Sequence, residues 1–342
     1  MSHFINSQSV LEANDDTILL DVRSPVEYKK GHIPSAISLP LFSDEERKSI
    51  GILYKNEGAQ AAFYKGLEFV GPKMRTIVER VWSLSENRKK IVIYCARGGK
   101  RSESVHWLLQ QSGLQNVFRL KGGYQQFRNY VMELMQQKYP TIVLSGLTGV
   151  GKTKILHVLH RIGRQCIDLE EIACHRGSAF GGYPNLEQPT QQLFENSLAL
   201  HLSSHRYSKD VVFMEDESKS IGKCYFPPLF FSQNIKEASV IHLTCSIEQR
   251  ISNLLEEYGT VQQHDLLASL YKIERRLGRE KVKKISHCIQ RDDLYSAIRY
   301  ILDYYDHKYT YNQSKRHVAF QMDITGMRND EVAEEINRRM ES

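Results

Sequence analysis

One stretch of the sequence, Tyr94–Ser102 (YCARGGKRS), places a cysteine among two glycines and two arginines. A thiol attacks as the thiolate, and nearby guanidinium groups or a helix N-terminus lower the pKa of a cysteine thiol. Arg97 and Arg101 supply the positive charge. A helical pattern that starts near Ser102 would direct its unpaired N–H groups toward Cys95. We therefore expect Cys95 to be a catalytic nucleophile, against the alternative of a buried structural cysteine.

The glycines of this stretch have a separate role. Gly98 and Gly99 can adopt backbone angles that are closed to other residues. Successive N–H groups can then converge on the sulfur, or on an anion beside it. The pattern predicts an anion-binding loop around the cysteine.

A second stretch, Gly146–Thr153 (GLTGVGKT), is a complete match to the P-loop pattern G-x-x-x-x-G-K-[ST]. It lies between a predicted strand and a predicted helix, which is the context that the motif requires. Lys152 adds a mobile positive charge, and Thr153 could ligate Mg²⁺. The residues expected to bind phosphate here are Gly146, Gly149, Gly151, Lys152 and Thr153.

Acidic residues end a later hydrophobic strand, VVFMEDES. Glu215, Asp216 and Glu217 occupy the position from which a carboxylate commonly faces the phosphate and its metal, and the pattern does not distinguish among the three. We expect Glu215 and Asp216 in the phosphate site, with an acidic turn as the alternative. Arg176, in the glycine-rich loop HRGSAFGG, could clamp a second anion.

The elements that must position these loops alternate between strand and helix. TILLDVR, RKKIVIYC and NVFRL predict strands of one small parallel sheet, with a helix over SESVHWLLQQ. TIVLSG, DVVFMEDES and SVIHLTCS predict strands of a second sheet. We predict an α/β fold with two domains: residues 1–137, and residues 138–342 with a helical C-terminal extension over about 250–342.

The bulk composition bounds the class of protein. At 342 residues the chain is typical of two domains, and 41% hydrophobic with 25% charged residues excludes a disordered protein. A formal charge of +6 permits an anionic partner. The six cysteines form no C-x-x-C pair, which argues against a zinc site. With no secretory signal and no run long enough to span a bilayer, we expect a cytoplasmic protein without membrane contact, and a monomer.

The cysteine loop, with DVRSPVEYKKGHIPSAISLP before it and LKGGYQQF after it, resembles the rhodanese domain over roughly residues 5 to 135. In that family the loop cysteine holds a chalcogen atom as a persulfide-type adduct. The resemblance implies that Cys95 is the carrier. It also implies that Asp21 and Arg23 form a structural pair that orders the end of the sheet.

The order of the two domains, with HRGSAFG, QQLFENSL and EDESKSIG, resembles the tRNA 2-selenouridine synthase family over essentially the whole chain. The resemblance implies two reactions on the wobble uridine of the tRNA anticodon. Geranyl diphosphate first alkylates the 2-thiouridine sulfur, and selenium derived from selenophosphate then replaces the S-geranyl group. It implies no tightly bound cofactor, and a selenophosphate supply enzyme as a partner.

These reactions assign roles to both loops. Cys95 would take selenium from selenophosphate and pass it to C2 of the base, while Arg97 and Arg101 hold the phosphate or selenide charge. The P-loop would bind the diphosphate of geranyl diphosphate, because the loop recognises phosphate oxygens and nothing in it recognises adenine.

A basic segment, Tyr271–Arg291, could contact the tRNA backbone, since basic helical faces can follow phosphates. The alternative is an ordinary solvated helix face. The residues expected to bind RNA are Arg275, Arg276, Arg279, Lys283 and Lys284.

Two other functions fit the sequence. One is a sulfurtransferase whose P-loop domain hydrolyses ATP. The other is an RNA-binding scaffold without catalysis. Phosphate release without tRNA or prenyl donor would favour the first, and unchanged function after Cys95→Ser would favour the second.

Overall fold

The computed structural model describes residues 3–12, 16–85, 89–175, 187–205, 208–309 and 317–341. The chain forms two compact units. The first comprises Met1–Gln136 and Thr190–Arg206, and the second comprises Gln137–Pro189 and Tyr207–Ser342. Helices and strands are numbered along the whole chain.

The first unit is built on a five-stranded sheet in the order β1-β5-β4-β2-β3, with every neighbouring pair parallel. The strands are β1 (Phe4–Ile5), β2 (Thr17–Asp21), β3 (Ile37–Ser38), β4 (Lys90–Tyr94) and β5 (Val117–Leu120). β2 and β4 are buried after their first residue, as expected for central strands with helices on both faces. Asp21 pairs with Tyr94, so β2 and β4 end side by side and deliver Cys95 to that edge.

Helices surround this sheet. They are α1 (Ser7–Leu11), α2 (Pro25–Lys30), α3 (Asp44–Asn56), α4 (Ala59–Val70), α5 (Met74–Ser85), α6 (Lys100–Gln111), α7 (Gly123–Leu134) and, from later in the chain, α10 (Gln191–Ser203). The helix after the cysteine loop begins at Lys100 with Gly99 as its N-cap, two residues earlier than the sequence pattern predicts. Ser102 therefore lies in the first turn, and its hydroxyl donates to the carbonyl of Gly99 at 3.1 Å.

The placement of helix α10 differs from the predicted domain organisation, in which residues 138–342 form one domain. It packs within the first unit through Asn196, a fully buried side chain. The Asn196 amide donates to the carbonyl of His32 at 2.7 Å and to the hydroxyl of Tyr124 at 2.9 Å. The close approach of α10 requires glycine at position 31, because a Cβ there would lie 2.6 Å from Cβ of Gln192.

The second unit has its own parallel sheet, in the order β12-β11-β6-β8-β7. The strands are β6 (Thr141–Ser145), β7 (Gln165–Ile167), β8 (Val212–Glu215), β11 (Ser239–Thr244) and β12 (Val318–Asp323), and a separate hairpin joins β9 (Ser220–Ile221) to β10 (Cys224–Tyr225). Leu144 pairs with Glu215, so the strand before the P-loop and the strand before the acidic residues end together.

The helices of this unit are α8 (Lys152–Arg161), α9 (Leu169–Ile172), α11 (Pro228–Phe231), α12 (Ile247–Tyr258), α13 (Gln263–Lys272), α14 (Glu274–Leu277), α15 (Arg279–Gln290), α16 (Leu294–Tyr309) and α17 (Asn329–Glu341). α13 to α16 enclose a core of their own around Leu270, Ile285 and Ile289. The extension is not wholly helical, because β12 joins β11 as an edge strand. The second half of its sequence, FQMD, alternates apolar and polar residues, which is typical of such a strand.

Candidate functional sites in the two units

Cys95 directly follows β4 and is 3% exposed. Its Sγ lies 3.3 Å from Oγ of Ser102 and 3.9 Å from the carbonyl of Gly99. Strand β4 and the first turn of α6 thus fix the sulfur from two sides. Of these two hydrogen-bond contacts of the sulfur, the hydroxyl of Ser102 is the shorter.

The glycine turn at the start of α7 holds the cysteine loop through backbone hydrogen bonds. The N–H of Tyr124 donates to the carbonyl of Cys95, and the N–H of Gln125 donates to the carbonyl of Ala96, both at 2.9 Å. Gly123 has a φ of +60°, and a Cβ on it would lie 2.3 Å from the carbonyl oxygen of Cys95. The sequence LKGGYQQF is therefore part of the cysteine site and not a separate turn.

We expect Gly123→Ala to destabilise the first unit by about 2 kcal/mol or more, because alanine would need a left-handed backbone and would collide with Cys95. Gly99→Ala is the matched control, since a Cβ there meets nothing within 4 Å. That control should change the free energy of unfolding by less than about 0.5 kcal/mol. Urea unfolding measures both variants, and equal effects would contradict this account of the loop.

The two arginines of the loop are placed differently. Arg101 is 16% exposed on its side chain and forms two hydrogen bonds to the carboxylate of Glu27, at 2.6 and 3.3 Å. Burial of Glu27 opposes its ionisation, but the hydrogen bond and charge of Arg101 outweigh that effect and lower the pKa of Glu27. Arg101 is thus paired with Glu27, and its role in holding a ligand stays a prediction. Arg97 is exposed and has no ion-pair partner in the described ranges.

The backbone of the loop offers a cluster of free donors. Within the described part of the chain, no N–H group from Arg97 to Ser102 donates to a backbone or side-chain acceptor. Gly98, with a φ of +66°, lies in this run. Successive free amides of this kind can form an anion-binding concavity, which is the role expected for Gly98 and Gly99.

Asp21 and Arg23 form the pair that the resemblance implies. Nη2 of Arg23 lies 2.6 Å from Oδ2 of Asp21, and both side chains are buried. The same nitrogen donates to the carbonyl of Gly31 at 2.7 Å, and the guanidinium stacks 3.8 Å from the ring centroid of Tyr124. The pair joins β2 to Tyr124 in the first turn of α7, the residue whose N–H donates to the carbonyl of Cys95.

The phosphate loop has the geometry that its motif predicts. It leads from β6 into α8, and Nζ of Lys152 donates to the carbonyl of Gly146 at 2.9 Å. Gly149 has a φ of +84°, and a Cβ there would lie 2.9 Å from the carbonyl of Arg250. Gly151 caps α8 in the left-handed region. The N-terminus of α8 therefore points its free N–H groups into the loop.

Helix α12 holds the loop from outside, which sequence reasoning missed. Nε of Arg250 donates to the carbonyl of Thr148 at 2.8 Å, and Nδ2 of Asn253 donates to the carbonyl of Gly149 at 2.9 Å. Arg250 is 4% exposed and forms a bidentate pair with Asp306 of α16, at 2.8 and 2.7 Å. A lone arginine in a predicted helix carries no sequence signal for this contact.

The structure separates the three acids after β8. Glu215 is fully buried, and its Oε2 accepts a hydrogen bond from the N–H of Leu169 at 3.0 Å. Burial, followed by the charges of Asp168 and Glu170, raises the pKa of Glu215 well above its usual value. Glu215 braces α9 through this hydrogen bond, and its place in the phosphate site stays a prediction. Asp216 follows it, half-buried at the end of the strand.

Two other carboxyl groups lie near Lys152. Glu170 and Glu217 share a hydrogen bond, and Oγ1 of Thr153 donates to Oε2 of Glu170 at 3.3 Å. Burial and the charge of Glu217 raise the pKa of Glu170 to about 8, and burial raises that of Glu217 to about 7 against the attraction of Lys152. Glu170 was missed because nothing in DLEE distinguishes a site residue from a capped helix start.

A second group of side chains could hold a metal ion. The ligand atoms of His157, Asp168 and Glu171 all lie within 4.8 Å of one another. Nε2 of His157 contacts Oδ2 of Asp168 at 2.7 Å, and the other oxygen of Asp168 accepts from the N–H of Glu171. Because these hydrogen bonds already account for the proximity, we assign no metal to the group.

The remaining expected site residues are Arg176 and the basic residues of α14 and α15. Arg176 falls outside the described residues. The basic side chains of α14 and α15 are exposed, while Val282, Ile285 and Ile289 face the helical core. Those exposed residues are Arg275, Arg276, Arg279, Lys283 and Lys284. Arg279 lies 3.8 Å from Glu274.

Helix length and the state of the cysteines concern both units. Over the described ranges, every helix is too short or too polar to cross a lipid bilayer. All six cysteines are described, and all are free thiols.

A parallel α/β unit with a cysteine loop, joined to a parallel α/β unit with a P-loop, defines a protein that combines the rhodanese and P-loop classes. A family model for a rhodanese-like domain matches residues 7–130. A model described as "tRNA 2-selenouridine synthase AAA domain" matches residues 137–341. The predicted fold class is confirmed.

Similar proteins cover most of the chain. A protein of Hydrogenovibrio crunogenus named tRNA 2-selenouridine synthase is 36% identical, over 87% of this chain and 90% of that protein. Proteins of the same name from Alcanivorax borkumensis and Shewanella sp. are 35% and 36% identical, over 88% and 80% of this chain and 91% and 79% of theirs. The chain belongs to the tRNA 2-selenouridine synthase family, which confirms the resemblance seen in its sequence.

Proposed function

We propose that this protein converts 2-thiouridine at the wobble position of tRNA to 2-selenouridine, by S-geranylation followed by selenation through Cys95. The main support for this proposal is the cysteine loop of a chain that belongs to this family. Cys95 is 3% exposed, and the N–H groups from Arg97 to Ser102 beside it have no described acceptor. A selenophosphate anion fits such donors, and the exposed Arg97 adds charge at the rim.

The first reaction explains why a prenyl donor is needed. A thiocarbonyl sulfur is a poor leaving group, and alkylation turns it into a thioether that departs as a thiolate. The sulfur bonds to C1 of geranyl diphosphate, the C–O bond breaks, diphosphate leaves and the N3 proton is released. The P-loop supports this step because it binds phosphate oxygens through backbone amides and Lys152.

The second reaction uses the thiolate of Cys95. Its sulfur bonds to selenium as the Se–P bond breaks, and the bonding electrons leave with phosphorus as phosphite. The bound selenium attacks C2 of the base and expels geranylthiolate. A cellular thiol then reduces the S–Se bond, which frees the selenouridine and leaves a disulfide for a second thiol to resolve. No added oxidant is needed, because phosphorus is reduced to phosphite as the sulfur–selenium bond forms.

Mg²⁺ is proposed as a partner of the diphosphate. The donor set fits, because Thr153, Glu170 and Glu217 present oxygen ligands, and a divalent cation beside the two carboxyl groups would favour their ionised forms. When bound, the ion would offset charge on the leaving diphosphate. Lys152 remains this chain's own cation at the site.

We expect Mg²⁺ to strengthen the binding of inorganic pyrophosphate to the wild-type protein by about tenfold relative to chelator-treated samples. Glu217→Gln should lose most of that dependence, because the amide is a weaker ligand. Isothermal titration calorimetry measures both. Equal Mg²⁺ dependence in the variant would remove Glu217 from the ion site.

The exposed basic side chains of α14 and α15 are proposed to contact tRNA phosphates. All of them are exposed, two on α14 and three on α15, which supports this role, and such binding should weaken steeply with salt. The five residues proposed are those expected from the sequence: Arg275, Arg276, Arg279, Lys283 and Lys284.

The test of the function is expression of this chain in cells that lack their own 2-selenouridine synthase. With selenite in the medium, nucleoside mass spectrometry of tRNA should detect 2-selenouridine. Absence of the product from cells that contain the folded protein would refute the proposal. ATP hydrolysis by the purified protein without tRNA would instead favour the regulated sulfurtransferase.

A further inference from the structure

A cavity of about 480 Å³ lies between α8 and the start of α17, outside the sites assigned above. Its volume is within the range of small-ligand pockets. The lining residues are Lys154, His157, Val158, Arg161, Arg328, Asn329 and Asp330. All of them belong to the second unit.

The lining is polar and mostly basic. Lys154, His157 and Arg161 recur at helical spacing along one face of α8, and Arg328 faces them from the residue before α17. Val158 is the single apolar residue of the lining and is 5% exposed. This composition does not suit the apolar tail of a prenyl donor. It suits a ligand with a phosphate and several hydrogen-bonding groups.

The cavity adjoins the phosphate loop. Oδ1 of Asn329 lies 3.7 Å from where a Cβ on Gly151 would be, and Gly151 is the last residue before α8. The side chain of Asn329 is half-buried and makes no hydrogen bond to another described residue. A side-chain amide offers both a donor and an acceptor, as the edge of a nucleobase does.

The cations of the cavity already have carboxylate partners at its rim. Lys154 contacts Glu256 at 2.7 Å, and Arg161 contacts Asp330 at 3.3 Å. Arg328 contacts Glu331 at 3.2 Å, with the arginine side chain 77% exposed. Solvent-exposed pairs of this kind contribute little to stability, so a phosphate can replace the carboxylates at low cost.

We propose that this cavity binds one ribonucleotide of the RNA substrate and thereby delivers the RNA strand to the phosphate loop. Arg161 and Arg328 contact its phosphate, and Asn329 contacts its base edge. The proposal rests on the proposed function and adds a docking site to it. It is separate from the basic face of α14 and α15.

The test compares two arginines of matched setting in the purified full-length protein. Arg328 precedes α17 and Arg338 lies near its end; each side chain is 77% exposed and paired with a glutamate three residues away. Arg328→Ala should weaken binding of an anticodon stem-loop RNA about fivefold or more and reduce the slope of log affinity against log salt by about 1. Arg338→Ala should leave both unchanged. Fluorescence anisotropy measures the affinity.

Asn329→Ala supplies a second variant without a charge change, and it should weaken RNA binding at every salt concentration alike. ATP serves as a competitor, to distinguish an RNA strand from a free nucleotide. Equal affinities for Arg328→Ala and Arg338→Ala would overturn the proposal, as would displacement of the RNA by micromolar ATP. If the wild-type protein bound no RNA, the proposed function itself would fail.

Discussion

Replacing Cys95 with serine should abolish 2-selenouridine and leave S-geranyl-2-thiouridine to accumulate in tRNA. A hydroxyl does not form the bond to selenium, and loss of a catalytic nucleophile reduces turnover by at least about 1,000-fold. Geranylation should continue because its phosphate loop lies in the other unit. Nucleoside mass spectrometry of tRNA from complemented cells measures both products.

Cys166→Ser is the matched control for this experiment. Cys166 is another free thiol, and burial raises its pKa to about 12, so it stays protonated at neutral pH. Its replacement should leave the yield of 2-selenouridine unchanged. Selenouridine that persisted in Cys95→Ser cells would assign the selenium transfer to another group.

The second large effect is expected for Lys152→Ala. Both modified nucleosides should disappear and 2-thiouridine should remain, because the diphosphate loses its cation and the first reaction stops. With purified protein, the rate of geranyl transfer should fall by about 100-fold or more. The contrast with Cys95→Ser, which accumulates the geranylated nucleoside, separates the two loops.

Lys138→Ala is a suitable control, since Lys138 belongs to the same unit and its side chain is 65% exposed, 3.7 Å from Glu237. It should transfer geranyl at the wild-type rate. Normal geranylation by Lys152→Ala would mean that the phosphate loop binds something other than the prenyl donor.

Local sequence patterns predicted the two loops well. The strand before Cys95 and the strand before Gly146 are short apolar runs, and each loop needs glycines at fixed positions. These features depend on neighbouring residues, so they are visible in the sequence. The glycine turn before α7 was also visible, as part of a family motif, but its contact with the carbonyl of Cys95 was not.

Contacts between distant residues could not be predicted in this way. Arg101 is a residue type that binds anions, and the fold also pairs it with Glu27 on α2. Glu215 ends its strand as expected, but its hydrogen bond from the N–H of Leu169 was not visible in the sequence. Each outcome depends on a partner brought close by the fold, and neither partner carries a motif of its own.

The placement of α10 has the same explanation. Its pattern, QQLFENSL, marks a helix but not the unit on which the helix packs. Asn196 accounts for the packing of α10 on the first unit, because a fully buried amide needs hydrogen-bond partners, here the carbonyl of His32 and the hydroxyl of Tyr124. Only the three-dimensional arrangement supplies them.

The most direct test is to incubate the purified protein with selenophosphate, without oxidant, and to locate selenium by peptide mass spectrometry while phosphorus products are followed by NMR. We predict one selenium atom on the peptide that contains Cys95, release of phosphite, and loss of the label when geranylated tRNA and a thiol are added. Selenium on another cysteine, or release of phosphate with no selenium on Cys95, would contradict the account.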